Sequence, residues 1–177
     1  MDSMDSRFLL LPIVALTIIQ PAQATTYLSI EQAQALMFPR ATLTEDFRML
    51  SPAQVAAIEK ACDVNVSTNQ LRAWKSSTGG WFIADQVVGK HDFIPFAVSL
   101  DDNGAVKDVE ILEYREAYGS EVTNPKWRAQ FAGKSRESPL KLTKDIQNIS
   151  GATLSSKHIT DGVRRLVVTY DLVLAAR

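Results

Sequence analysis

The stretch Ile94-Pro95-Phe96-Ala97-Val98-Ser99-Leu100, followed by Asp101-Asp102-Asn103-Gly104 and then Val109-Glu110-Ile111, decides the fold class. Ile94, Phe96, Val98 and Leu100 alternate with other residues, and Val109 and Ile111 resume the alternation after the turn, the pattern of two strands each showing one apolar face. Asn103-Gly104 between them predicts a type I′ hairpin turn. Pro95 lacks a backbone donor, so its strand is expected at a sheet edge or beginning at that point.

Working upstream, Leu71 to Lys75 and Trp81 to Val88 read as strands separated by the turn cluster Ser76-Ser77-Thr78-Gly79-Gly80. Earlier still, Ser29 with Gln32 and Ser51 with Gln54 are capping-box patterns, and Pro52 stands at a first helical position. The first helix should stop at Pro39. The second carries Val55, Ile58 and Ala61 or Cys62 on one face to about Asp63. Residues 25–70 are therefore expected to form a helical N-terminal segment ahead of a domain over 71–177. Downstream of the hairpin, Asn124-Pro125 should start a short helix through Trp127 and Phe131 that ends at Gly133. Ile159, Val163, Leu166, Tyr170 and Val173 then recur at spacings of four and three, one face of a long C-terminal helix. The expected architecture is α+β: an antiparallel sheet with this hairpin, packed by a short helix and the long terminal helix.

The first 24 residues read as a secretory signal. Phe8 to Ile19 is an almost continuous apolar run, Pro21 breaks it, and Ala22-Gln23-Ala24 is a small-x-small cleavage site. A periplasmic or otherwise extracytoplasmic protein follows from cleavage, and an inner-membrane tether from retention of the segment. From residue 25 onward 18 basic and 18 acidic residues remain, because the segment removes Asp2, Asp5 and Arg7 from totals of 20 and 19. That balance carries no footprint for nucleic acid or an anionic membrane. Cys62 is the only cysteine, so no internal disulfide and no Cys-x-x-Cys-His haem attachment exist. His91 and His158 have no metal-ligand spacing around them, and Gly133-Lys134-Ser135 lacks the first glycine of a P-loop.

The chemistry-bearing tract is Ser150-Gly151-Ala152-Thr153-Leu154-Ser155-Ser156, small residues and hydroxyls opening onto the terminal helix. Such a junction suits a phosphate: small residues let a ligand approach the backbone, and the helix start supplies unpaired N–H groups and a positive dipole end. It suits a plain helix cap as well, with Ser or Thr as the capping residue.

The tract resembles the flavinylation motif Asp-x-x-(Ser/Thr)-Gly-Ala-Thr of the FMN-binding domain family, found in the C subunit of Na⁺-translocating NADH:quinone reductases and the G subunit of Rnf complexes. Ser150, Gly151, Ala152 and Thr153 fit the motif. Gln147 stands where the family has Asp, and the nearest carboxylate is Asp145. The likeness extends over about residues 71–176. Glu116-Ala117-Tyr118-Gly119-Ser120-Glu121 sits where respiratory members carry a Glu-Thr-Pro-Gly-Leu-Gly segment, and Trp127 to Lys134 resembles their following helix.

The resemblance implies FMN joined through a phosphoester to Thr153 by an external flavin transferase using FAD and Mg²⁺. It also implies electron exchange with a membrane or periplasmic redox partner. Phosphate donors would be the backbone around Leu154, Ser155 and Ser156, with Ser150 or Lys157 as helpers. Asn148 could meet the ring or ribityl chain, or be a loop cap. Trp81, Tyr118 and Trp127 are candidates to stack on the ring or to belong to the core. Glu116, Gly119 and Glu121 would lie near the flavin or in a solvated turn, and His158 near the flavin or satisfied on its helix. A dinucleotide fingerprint is absent from the sequence. Two other readings stay open: a module that binds FMN or another phosphorylated ligand reversibly, and a structural or assembly factor without flavin.

Overall fold

The computed structural model describes residues 25–175, so the expected export segment lies outside the described residues. In chain order the elements are strand β1 (Thr25–Thr26), helix α1 (Ile30–Met37), β2 (Leu43–Met49), α2 (Pro52–Cys62), β3 (Gln70–Ser76), β4 (Trp81–Val88), β5 (Phe93–Leu100), β6 (Val106–Ile111) and β7 (Glu113–Tyr114). A short helix α3 (Pro125–Arg128) and the long helix α4 (Thr153–Thr169) complete them, α4 running on into one π-helical turn, Tyr170–Leu174.

Strands β2 to β6 form an antiparallel meander in sequence order, and β1 pairs separately with β7. Side-chain alternation divides the sheet into two faces. One face carries Ala73, Ile83, Val98, Leu100, Val109 and Ile111 and is covered by Ile58 and Cys62 of α2 and by Ile159, Val163 and Leu166 of α4. The other carries Trp74, Phe82, Ala84 and Ala97 and is covered by Ala33 and Met37 of α1 and by Phe38 just after it. The architecture is thus α+β with helices on both sides, the heavier core lying under α4.

Three local expectations are corrected. The N-terminal segment is not helical throughout, because β2 lies between α1 and α2 and pairs along β3 from Leu43↔Ser76 to Met49↔Gln70. Its residues Leu-Thr-Glu-Asp-Phe-Arg-Met show little apolar alternation, as befits an edge strand wet on both sides. The hairpin turn is not type I′, which needs positive φ at both central residues. Gly104 is at φ 78° and Asn103 is not left-handed. The Asp101 carbonyl accepts from Gly104 N–H (3.1 Å), the Ala105 carbonyl accepts from Asp101 N–H (2.9 Å), and the register shifts at Ser99/Leu100. This is a type I turn closed by a left-handed glycine and a bulge. The Asp101 carboxylate favours it by accepting from Asn103 and Ala105 N–H. Finally, β5 is an interior strand, between β4 and β6. Pro95 is tolerated because its carbonyl still accepts from Leu112 N–H, while the Leu112 carbonyl opposite its missing donor accepts from Tyr27 and Leu28 N–H instead.

Both capping boxes are present, with Ser29 and Ser51 each accepting from N3 while Gln32 and Gln54 reach back. Asn124 caps α3, and Gly133 (φ 76°) closes the turn that follows it. Arg128 and Arg165 are buried cations, paired with Glu110 and Asp85 respectively. Arg165 ties α4 to β4.

Candidate functional site

Helix α4 begins differently from α1 and α2. Its N-cap position is Ala152 (φ −124°, ψ 28°), and no side chain caps it. The first intrahelical bond runs from Ser156 N–H to the Ala152 carbonyl (2.9 Å), so the amides of Thr153, Leu154 and Ser155 precede the ladder. The reading of this tract as a Ser/Thr cap therefore fails. What remains is a 17-residue helix whose positive end is open.

That end faces a cleft of about 390 Å³ lined by Gly151, Ala152, Thr153, Leu154 and Ser155 on one side. Glu116, Ala117 and Tyr118 from the loop after β7, and Lys90 and His91 from the β4–β5 loop, form the rest. Thr153 is exposed at the mouth and its Oγ1 accepts from Asn148 Nδ2 at 3.2 Å. Tyr118 is 82 % exposed, leaving its aromatic face free. Leu154 is about half exposed beside it. The charged side chains of the lining are Lys90, Glu116 and, when protonated, His91.

Two contacts hold the loop after β7 against the helix. Tyr114 Oη donates to the Tyr118 carbonyl (2.6 Å) and meets Ser155 Oγ at 2.9 Å. Since the phenol proton is committed to Tyr118, Ser155 is the donor in the second bond. Burial pushes the Tyr114 phenol up, the Ser155 bond only partly offsetting it, so it stays neutral in ordinary buffers. Gly119 sits at φ 93° where a Cβ would come within 2.6 Å of Tyr114 Oη and 3.1 Å of Ala152 Cβ. Only glycine lets the loop lie this close to the first turn of α4. The Glu116 carboxylate reaches the other way and accepts from His91 N–H (2.6 Å) and Asp92 N–H (3.1 Å), tying the two loops of the cleft together.

Of the sequence-derived candidates, the fold brings Thr153, Gly151, Ala152, Leu154, Ser155, Glu116 and Tyr118 to one cleft, with Gly119 and Asn148 directly behind it. Ser150 precedes Gly151 in the loop but does not line the cleft. Ser156 is buried and donates back to the Ala152 carbonyl, so its hydroxyl is not aimed outward. Lys157 pairs with Asp161 (2.6 Å), His158 meets the Val88 carbonyl, and Glu121 is exposed outside the lining. Trp81 is in the core, and Trp127 stands edge-on to Phe131 with its Nε1 donating to the Gln147 carbonyl (2.8 Å).

Gln147 is held by its backbone, its N–H donating to Gln130 Oε1, while its side chain is exposed. Asp145 does not substitute for the motif acid. It accepts from Leu140 and Lys141 N–H and from Lys134 Nζ (3.1 Å). Burial would raise its carboxyl, but these bonds outweigh burial and hold it below the usual value. Lys90 and His91 carried no signal in the sequence, since only the closure of the β4–β5 loop onto Glu116 brings them here.

Among the described residues no group of three or more His, Cys, Asp or Glu side chains could hold a metal ion, and no helix is long and apolar enough to cross a membrane. Residues 89–168 match the family model described as the FMN-binding domain. Every residue lining the cleft falls within that range. A search of curated proteins found no match to the chain.

Proposed function

On the premise that this chain carries a domain of the FMN-binding domain family over residues 89–168, we propose that it is an exported flavoprotein carrying electrons on FMN joined through a phosphoester to Thr153. The observation that carries this reading is the uncapped start of α4, with an exposed Thr153 hydroxyl at a cleft inside the family-matched region. A phosphate is the chemical complement of three unpaired amides at a helix N-terminus. The residues present fit the group. The amides of Thr153 to Ser155 would hold the phosphate, Lys90 would add positive charge, and Tyr118 would offer an aromatic plane to the ring. Asn148, already bonded to Thr153 Oγ1, would orient the hydroxyl. Bound FMN supplies one- and two-electron redox chemistry.

Attachment would need a flavin transferase acting on FAD with Mg²⁺, the Thr153 oxygen taking the FMN phosphate and AMP leaving. Electrons would come from a membrane or periplasmic redox partner. Export rests on residues 1–24, and N-terminal sequencing of protein recovered from the periplasm should read from Thr25; a start at Met1 or Met4 in the membrane fraction replaces the free carrier by a tethered one. Gln147 and the engaged Asp145 favour a second reading, reversible FMN binding, if the motif carboxylate is needed by the transferase. Co-expression with a flavin transferase separates the two. Fluorescence that survives denaturing gels with the matching intact mass supports covalent carriage, dialysable yellow colour supports the reversible module, and colourless protein sinks both.

A further inference from the structure

The two edges of the sheet are finished differently. At β6 the outer edge is closed by the chain itself: Gly133 N–H donates to the Val106 carbonyl (2.7 Å), Val106 N–H donates to the Lys134 carbonyl (2.8 Å), and Arg128 donates to the Val109 carbonyl. At β2 it is open. Ser77 N–H donates to the Thr42 carbonyl and Leu50 N–H to the Asn69 carbonyl, so even-numbered residues of β2 turn their backbone groups toward β3. Leu43, Glu45, Phe47 and Met49 therefore direct N–H and C=O outward, and among the described residues nothing meets them. Phe47 and Met49 on this edge are 50 % and 64 % exposed. An open strand with exposed apolar side chains is a template for a further strand.

We propose that the β2 edge is the interface of a homodimer, in which a second copy adds its own β2 antiparallel about a two-fold axis at Phe47 to give one continuous sheet. A two-fold axis normal to a sheet requires one residue to face its own copy, which limits the registers to a few. With Glu45, Asp46 or Arg48 on the axis, like charges stand directly opposite, which is destabilising. With Phe47 on the axis, Phe47 meets Phe47, and each Asp46 meets Arg48 of the other copy. Phe47 also directs its backbone outward, so the axis falls on a hydrogen-bonded pair. Charges on an edge strand ordinarily deter association; in this register they are self-complementary. Arg48 is already ordered, bonded to Asp46 (2.7 Å) and to the Val173 carbonyl (2.8 Å). On the opposite face Trp74 stands edge-on to Phe47 at 4.8 Å, so the aromatic cluster would continue across the axis.

Sedimentation velocity of the purified protein across the micromolar range tests this. The parent protein should sediment as a concentration-dependent dimer. Asp46→Arg and Arg48→Asp should each weaken self-association by at least about tenfold through like-charge contacts. An equimolar mixture of the two should recover a heterodimer, because each then faces its opposite. Phe47→Lys, which touches neither Val173 nor the ion pair, is the second reading of the same edge should Arg48→Asp fail to fold, and it should also be monomeric. A monomeric parent at every concentration overturns the proposal. So do single variants that dimerise like the parent, or a mixture that stays monomeric while both components retain their circular dichroism.

Discussion

Helices α2 and α4 start from similar material and reach opposite ends. The first opens with Ser51-Pro52-Ala53-Gln54, where Ser51 Oγ accepts from Gln54 N–H and Gln54 Oε1 accepts from Ser51 N–H. The second opens with a tract richer in hydroxyls, yet Ser155 is turned to Tyr114, Ser156 bonds back to Ala152, and no side chain caps the start. Hydroxyl residues at a helix start therefore do not by themselves make a cap; what matters is the residue at the N-cap position, Ser in one case and Ala in the other. A helix left open at its positive end toward a cleft is suited to an anion, whereas a closed one serves stability alone.

The largest effect expected from breaking this contrast is at Thr153. Thr153→Ala should abolish covalent flavin, read as loss of in-gel fluorescence and of the mass increment after co-expression with the transferase, while Thr153→Ser keeps partial labelling. Because Thr153 is the first helical residue and not the cap, the fold should lose less than about 0.5 kcal/mol. Covalent flavin persisting in Thr153→Ala removes the assignment. Gln147→Asp extends the test: if the motif carboxylate serves the transferase, this change should speed labelling.

Next in size is Gly119→Ala. The residue sits at φ 93°, and the added methyl would meet Tyr114 Oη and Ala152. Strain of this kind costs about 1–3 kcal/mol, measurable by urea denaturation. It should also lower flavin labelling, since the displaced loop carries Tyr118. A smaller effect is expected at the closed helix: Ser51→Ala should cost about 1 kcal/mol of stability and leave labelling untouched. If Ser51→Ala and Thr153→Ala destabilised the protein equally, the two helix starts would not differ as described.

How far the sequence alone reaches depends on the range of the forces involved. The β5–β6 hairpin, both capping boxes and the C-terminal helix are legible because alternation, 3.6-residue periodicity and caps act over neighbouring residues. Strand β2 is not, since what makes Leu43 to Met49 a strand is pairing with β3, 25 residues away at Phe47↔Arg72. The hairpin turn type is missed because Asn-Gly admits either geometry and the Asp101 carboxylate decides between them. At the site, the small-residue tract is visible as a motif, but Lys90 and His91 are not. They reach the cleft only through Glu116, a long-range contact with no local signature.

That same Glu116 supplies the last test, and the smallest expected effect. Burial works against its charge, but the N–H groups of His91, Asp92 and Lys90 outweigh it and hold the carboxyl below its usual value. A carboxylate whose folded pKa is depressed contributes stability that is fully present above its unfolded value, about 4.3. The contribution disappears as pH falls through the folded value. Urea midpoints of the parent and of Glu116→Gln should therefore differ at neutral pH, with the parent more stable, and converge under acid conditions where both side chains are neutral. The gap should be small, because the carboxylate is only partly shielded from water. The outcome also bears on the contrast between the helix starts. Glu116 anchors the β4–β5 loop and not α4, so flavin attached to Thr153 should survive the substitution, with any loss confined to the rate at which labelling proceeds. Complete loss of labelling in Glu116→Gln would mean that the open end of α4 is insufficient without the loop that faces it.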